Sequence, residues 1–530
     1  MIRTEADRQL TFILPFGGRL KPENRWVRLS AVVPWDELEP AYNSVMNMKE
    51  GRPCKPARLV IGAMIIKHKL NLSDEETVLQ IQENAYLQYF CGYETYIDAI
   101  PFVPSLFVEI RKRMGADMFA SFEQAIVNQA VSIRQGKQSA RKGGDDRGDP
   151  PASPPSGDVA DKSSSASEDE SKEVTHHGRL LMDATVADQM IRFPTDVSLL
   201  NHAREITETL IDELHQHKEI TGKKPRTYRQ QARKAYLAIS KRKRPGSKLI
   251  RKGIRQQLQY LRRNFKYIEQ MLDTLMPEAG MAFPLKDRLQ RQYWIIQHVY
   301  AQQKEMYDNK SRSCSDRIVS ISQPHVRPIV RGKAGKSVEF GSKISVSMMG
   351  KLAFVDRLSW DAFNESADLI AQVKAYKERF GFYPESVHAD GIYGTRANRK
   401  WLKDHGIRFA GKPLGRPKKA TASNKDEIRQ LKRQRREDER RRIPVEGKFG
   451  QGKNGYRLNQ IRARLASTSE AWVRTIFLVM NLVALLRFLL PALQMTQVYA
   501  IIEHVEACMR HLRETLWRLN PIPALAAVKW

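Results

Sequence analysis

Residues 179–183 read RLLMD, an apolar run closed by an acid. Such a run, bounded by charge, predicts a short buried strand. A carboxylate placed at the end of a buried strand is costly unless a cation pairs with it. The pattern returns at residues 386–390, SVHAD, followed by Gly391. Outward from these two stretches the spacing predicts strands over Arg317–Ser322, Ser337–Met348 and Lys351–Val355, with Gly341 interrupting the second and Gly350 separating it from the third. It further predicts a helix near Ala362–Arg379, a strand over Glu385–Ala389, a helix over Thr395–His405 and a strand over Ile407–Ala410. Thr195-Asp196 predicts the cap of a helix beginning near Val197. The order is strand with acid, helical insertion, strands, helix, strand with acid, then a late acid opening a helix. The fold class expected is α/β, with a long insertion after the first strand.

The chain has 530 residues, with 89 Lys plus Arg against 59 Asp plus Glu, a formal net charge of +30. That balance excludes the surface of an ordinary metabolic enzyme and points to a polyanionic partner. The charge is concentrated. Lys223–Lys266 carries 17 basic residues and no acidic one, with Tyr228, Tyr236, Tyr260 and Phe265 interleaved, and Pro245-Gly246 splits it into two helical pieces. A solvated helix face normally mixes signs. A block without one carboxylate reads instead as a contact for nucleic acid, through Lys223, Lys224, Arg226, Arg229, Arg233, Lys234, Lys241, Arg242, Lys243 and Arg244. A second basic stretch, Lys412–Arg442, has 13 Lys or Arg against five Asp or Glu.

Residues 1–135 are expected to form a helical domain. Ser73-Asp74-Glu75-Glu76 has the form of a capping box, followed by Val78, Ile81, Ala85 and Phe90 at helical spacing and by Gly92 as a stop. A second helix start lies at Ser105. Whether this unit binds DNA or serves dimerisation is open from the sequence. Residues 136–175, including Gly136–Lys172, are almost devoid of aliphatic and aromatic residues and read as a disordered linker. The α/β domain is placed at 176–495, its insertion at about 200–312, and a helical tail with Trp517 and Trp530 at 496–530. Ala471–Leu493 approaches the length of a membrane span, but Arg474, Asn481 and Arg487 interrupt it, and a buried core helix is expected. The N-terminus carries acids and lacks a long apolar core, so no signal peptide is expected. The four cysteines lie far apart without a CxxC pair, which speaks against zinc fingers and disulfide frameworks.

Three carboxylates stand out: Asp183, Asp390, and Glu446 in RIPVEGKFGQGK. Converging in a basic protein, they would make an oxygen-rich site suited to the hard ion Mg²⁺. Two such ions roughly 4 Å apart stabilise the attacking and leaving oxygens of a phosphodiester. Singly, Asp183 reads as well as a cap and Asp390-Gly391 as a turn. On a helix Arg442, Glu446 and Lys453 share one face and can project together toward a phosphate. Pro444, Gly447, Gly450 and Gly452 argue against an uninterrupted helix there, so one is expected to begin near Pro444 or to be irregular at the glycines. His388 falls on the same strand face as Asp390, as a packed side chain or as an aid to proton transfer.

The stretches LLMDATVADQMIRFPTDVSLLNHARE, RIVSISQPHVRPIVRGKAGKSVEFGSKISVSMMG, HADGIYGTRANRKWL and VEGKFGQGKNGYRLNQIRARL, together with the helical N-terminus, resemble bacterial insertion-sequence transposases of the DDE type, in the insertion-sequence-five superfamily. The resemblance implies a ribonuclease-H-like catalytic core with Asp183, Asp390 and Glu446 as catalytic and metal-binding residues. It implies Mg²⁺ or Mn²⁺, two ions, as cofactor. It also implies cleavage at element ends by activated water, then attack of the freed 3′-hydroxyl on target DNA. Arg442, Glu446 and Lys453 match the family signature of Tyr, Arg, Glu and Lys, while Glu439 stands at the tyrosine position. Implied partners are DNA and a second copy of the chain in synapsis, in the bacterial cytoplasm at the nucleoid, with no membrane. Two other readings stand beside this one: a catalytically inactive or repurposed transposase acting as a DNA-binding protein, and a nuclease without strand transfer. An ATPase is excluded, because Gly335-Lys336-Ser337 lacks the earlier phosphate-loop glycine, Val330 standing in its place, and continues as a strand.

Overall fold

The computed structural model describes residues 15–46, 54–142, 176–278, 281–330, 338–415, 421 and 424–487. The N-terminal part is helical: α1 (Arg25–Ser30), α2 (Trp35–Asn43), α3 (Ala57–Leu70), α4 (Asp74–Glu83), α5 (Ala85–Phe90), α6 (Leu106–Arg113) and α7 (Ala116–Lys142). Ser73 accepts a hydrogen bond from the Glu76 amide and starts α4. The single helix expected through Phe90 is two, because the Asn84 side chain accepts from the Tyr86 and Leu87 amides and begins a new one. Helix α7 runs past Gly136, where the linker was expected to begin. Residues 143–175 of that linker, and the tail expected over 496–530, lie outside the described residues.

A mixed sheet follows. Its strands are β1 (Arg179–Asp188), β2 (Arg327–Val330), β3 (Val338–Met349), β4 (Leu352–Ser359), β5 (Ser386–His388) and β6 (Arg408–Phe409). Strand β1 pairs antiparallel with β3 on one side and parallel with β5 on the other, and β5 pairs parallel with β6. Strands β2 and β4 both run antiparallel to β3 along its other edge. Between β1 and β2 the chain makes α8 (Asp196–Leu214), α9 (Arg229–Ser240), α10 (Ser247–Leu275) and α11 (Asp287–Asp308). Thr195 and Ser198 form a reciprocal cap at the start of α8. These helices bury a core of their own, with Leu200, Ala203, Leu261, Ile268, Ile296 and Val299 fully inside. After β4 come α12 (Leu369–Phe380), α13 (Arg396–Asp404, between β5 and β6), α14 (Lys425–Gly455) and α15 (Ala466–Arg487).

Both faces of β1 are covered, and alternate residues go to different cores. Leu180 and Met182 join Val373, Tyr376 and Leu402 under α12 and α13. Leu181 and Ala187 join a larger core that contains Val60 and Ile61 of α3, Val445 and Phe449 of α14 and Phe477 and Leu482 of α15. The N-terminal helices and the sheet are thus one packed body.

The strand expected over Arg317–Ser322 is irregular chain. The Gln302 side chain takes up its backbone groups, accepting from the Ile318 amide and donating to the carbonyls of Ser315 and Asp316. Ile321 packs into the insertion core rather than the sheet. Helix α15 is long and apolar enough to cross a membrane, but it is mostly buried inside the protein and is a core helix. Its polar interruptions have a job. Asn481 accepts from the Ala353 amide at 2.9 Å and donates to the Ala353 carbonyl at 2.7 Å, while Arg474 donates to the Val355 carbonyl. Edge strand β4 is thereby closed by side chains instead of another strand.

Candidate active site

Strands β1 and β5 pair in the register Leu180 with Val387 and Leu181 with His388. Two residues on, where the pair parts, stand Asp183 and Asp390. Carried forward, the register sets them at the same level on neighbouring strands, and alternation turns both toward the face covered by α14. Asp183 does not end its strand: β1 continues to Asp188 along β3, with Asp183 opposite Val346. It ends only the parallel pairing. Each carboxylate is pinned by the next amide, Asp183 Oδ1 accepting from Ala184 at 2.8 Å and Asp390 Oδ1 from Gly391 at 2.6 Å.

Helix α14 supplies the third acid, and it is unbroken from Lys425 to Gly455, with Pro444, Gly447, Gly450 and Gly452 inside. Pro444 and Gly447 lie on its exposed face, where water can serve a carbonyl that has lost its amide partner. Val445, Lys448, Phe449 and Gly452 are buried at helical spacing, and that burial outweighs weak local propensity. At Gly452 a Cβ would come to 3.1 Å from Leu458 Cδ2, so the small residue lets the next segment pack closely. Lower on the helix, Asp438 accepts two bonds of 2.8 Å from Arg408 and lies 3.9 Å from His388 Nδ1. This clamp ties α14 to β5 and β6. His388 is fully buried beside Ser386, and burial pushes its pKa down, so it is a packed, neutral side chain.

Arg442 joins the acids. Its guanidinium donates to Glu446 Oε1 at 2.7 Å and lies 3.5 Å from Asp183 Oδ2. Glu446 is over half exposed, while Asp183 is mostly buried. Burial raises the Asp183 pKa, and the charges of Glu365 and Asp390 add to the rise; the Ala184 amide and Arg442 oppose it. Glu365 is a fourth acid that the sequence did not single out. It sits in a single helical turn capped by Asn364 and pairs with Lys343 at 2.9 Å. Below lies Tyr393, fully buried; burial, then the charges of Glu365 and Asp183, push its pKa far up and keep it protonated.

The donor set is carboxylate oxygen, the chemistry a hard divalent cation needs. As the side chains stand, no three His, Cys, Asp or Glu groups among the described residues converge as an ion's ligands. Asp183 and Asp390 stand at the same level of the sheet, whereas Glu446 is linked to Asp183 alone, through the guanidinium of Arg442. Lys453, beyond Glu446 on the same helix, is 3.8 Å from Glu339 rather than beside Glu446. Glu439, at the family's tyrosine position, is exposed and pairs with Arg435.

The basic block lies on the insertion. Lys223, Lys224, Arg226, Arg229, Arg233, Lys234, Lys241, Arg242, Lys243 and Arg244 are all exposed. Two of them meet a carboxylate from outside the block, Lys224 and Arg229 both pairing with Asp212 of α8. Arg226 and Arg263 flank the Tyr228 ring at 5.0 and 4.7 Å.

Two family models match parts of the chain. Residues 387–483, which include Asp390, Arg442, Glu446 and Lys453, match a family described as a transposase DDE domain. Residues 15–113 match a second, described as a transposase domain (DUF772). The resemblance to insertion-sequence DDE transposases therefore holds in two separate segments of the chain. A relative from Rhizobium meliloti, described as uncharacterized protein ORF8 in nfe locus, is 35% identical over 112 residues, which are 21% of this chain and 54% of that protein. The chain spans about half the length of that relative. No solved structure matches it.

Proposed function

We propose that this protein is a DDE transposase that cleaves DNA at the ends of an insertion sequence and joins the freed 3′-hydroxyl to target DNA. The observation that carries the reading is the placement of Asp183 and Asp390 at the parting of two parallel strands, with Arg442 linking Asp183 to Glu446. The strand order β4-β3-β1-β5-β6, with the first three antiparallel and the last three parallel, supports a ribonuclease-H-like core. Transposase DDE domains work with divalent metal ions, which when bound activate the attacking water and neutralise charge developing on the phosphate.

Asp183, Asp390 and Glu446 would hold those ions. The chain's own contribution is to fix the donors: the amides of Ala184 and Gly391 orient the two aspartates, and the Asp438 clamp fixes the helix that carries Glu446. Arg442 supplies positive charge among crowded carboxylates. The exposed cations of α9 and the following turn hold the DNA backbone. The domain division, helical residues 1–135 before a catalytic 176–495, belongs to the same proposal, as does synapsis by two copies.

The test is incubation of purified protein with Mg²⁺ and a linear DNA carrying the sequences that flank its coding region. Cleavage exposing a 3′-hydroxyl, followed by joined products, is expected. Binding without cleavage under conditions of full occupancy would instead favour a repurposed DNA-binding protein.

A further inference from the structure

A cavity of about 450 Å³ lies away from the acids, between the N-terminal helices and the segment linking α14 to α15. Its floor holds two buried cations served by one carboxylate. Lys67 Nζ is 2.9 Å and Arg111 Nη2 is 2.6 Å from the oxygens of Asp74, and both cations are only 3–4% exposed. They also lie 4.9 and 5.0 Å from the ring of Trp472. His68, fully inside, sets its ring edge-on to the same tryptophan at 5.1 Å, and its Nε2 is buried without a hydrogen-bond partner. Burial, then Lys67 and Arg111, push the His68 pKa well down, so the imidazole is neutral. At the rim stand three exposed arginines, Arg457, Arg462 and Arg464. Five cations thus face two carboxylates, Asp74 and Glu75.

Two buried cations sharing a single carboxylate are under-neutralised, which is costly unless an anion completes the set. The forked guanidinium groups suit phosphate oxygens. Trp472 is taken up by Lys67, Arg111 and His68, so it offers no platform for stacking a base. The chemistry selects a backbone and not a nucleobase. The location agrees: the rim segment pairs with the end of β1, Ile461 exchanging backbone bonds with Asp188 and Met190, and Asp183 lies on that same strand.

We infer that this cavity is a phosphate site that grips a backbone phosphodiester of DNA where the N-terminal helices meet the catalytic domain. The inference rests on the transposase reading for its ligand, but its test does not require cleavage. The full chain is titrated with a labelled duplex of arbitrary sequence between 50 and 200 mM salt, as wild type, as Arg462→Gln/Arg464→Gln, and as Lys400→Gln/Lys403→Gln. The last pair is exposed on α13, against the opposite face of the sheet. Each neutralised phosphate contributes about 0.9 to the slope of log affinity against log salt. The cavity variant, which loses its hold on one phosphate, should lose about one unit of slope, so that its affinity falls over this range roughly three- to fourfold less than that of wild type. The α13 variant should keep the wild-type slope. Equal slopes in all three, or equal losses in both variants, would overturn the site. Inorganic phosphate that binds the wild type and not the cavity variant, while leaving duplex affinity unchanged at constant ionic strength, would assign the cavity to free phosphate and overturn the DNA assignment. A wild-type protein that binds no duplex would sink the transposase reading itself, whereas a cavity variant indistinguishable from a DNA-binding wild type would sink only this site.

Discussion

Replacing Glu123 with glutamine should stabilise the protein at pH 8 and gain nothing at pH 5. Glu123 projects from α7 toward the sheet, 3.5 Å from Arg379, whose other nitrogen is 2.7 Å from Asp356. Asp356 is free to reach it because the β3–β4 register slips there, leaving Asp356 unpaired in a bulge. One guanidinium therefore answers two buried acids. Burial of Glu123 outweighs its share of Arg379 and pushes its pKa from 4.5 up to about 7. The folded state then holds a proton that the unfolded chain has lost between about pH 4.5 and 7. Stability attributable to this group falls as pH rises through that window and is flat above it. At 1.36 kcal/mol per pKa unit, the full effect is on the order of 3 kcal/mol. Glutamine keeps the shape and an acceptor for the Val355 amide but never ionises, while Arg379 retains Asp356. Urea melts of wild type and Glu123→Gln at pH 5 and pH 8 give the difference directly. The variant should be more stable by roughly 1–3 kcal/mol at pH 8, with the gap closing by pH 5. A difference that is the same at both pH values, or a variant less stable at pH 8, would refute the reasoning.

Other substitutions probe the supports of the site. Asp438→Ala removes both Arg408 bonds and leaves His388 Nδ1 without its neighbouring charge; with Asp438 buried but Arg408 exposed, the loss should cost roughly 1–3 kcal/mol in a urea melt and lower any cleavage rate by loosening the helix that carries Glu446. Asn481→Leu strips the edge of β4 of two bonds and should cost about 2–4 kcal/mol by the same measurement, at roughly 1–2 per unsatisfied backbone group; a neutral result would mean that water serves that edge. Exchanging Lys241, Arg242, Lys243 and Arg244 for glutamine should flatten the salt dependence of DNA affinity by about one unit of slope for each phosphate no longer neutralised, and an unchanged slope would place this turn away from the DNA.

The parts of the fold legible in the sequence are those whose signals are local. β1 and β5 announced themselves as apolar runs closed by acids, and α8 by Thr195, which caps it as its type suggests; α13 is placed from Thr395, which the structure shows to be its cap. The errors arise where distant side chains decide. Nothing near Arg317–Ser322 reveals that Gln302 will take up its backbone, and nothing in Pro444 or its glycines reveals that one face of α14 is buried firmly enough to keep the helix whole. Glu365 and Asp438 were invisible for the same reason. Each is an ordinary acid in a polar stretch until the fold brings Lys343 or Arg408 to it. The site's acids were readable because two of them sit in strand context, but the guanidinium of Arg442 lodged between Asp183 and Glu446 follows only from the packing of α14 on β1.

The central claim is that Asp183, Asp390 and Glu446 act as one site on DNA. It is tested most directly by assaying Asp183→Asn, Asp390→Asn and Glu446→Gln side by side for binding and for Mg²⁺-dependent cleavage of DNA carrying the element's ends. The account predicts that each variant binds within a few-fold of wild type and that none cleaves. Cleavage surviving in any one of the three would contradict it.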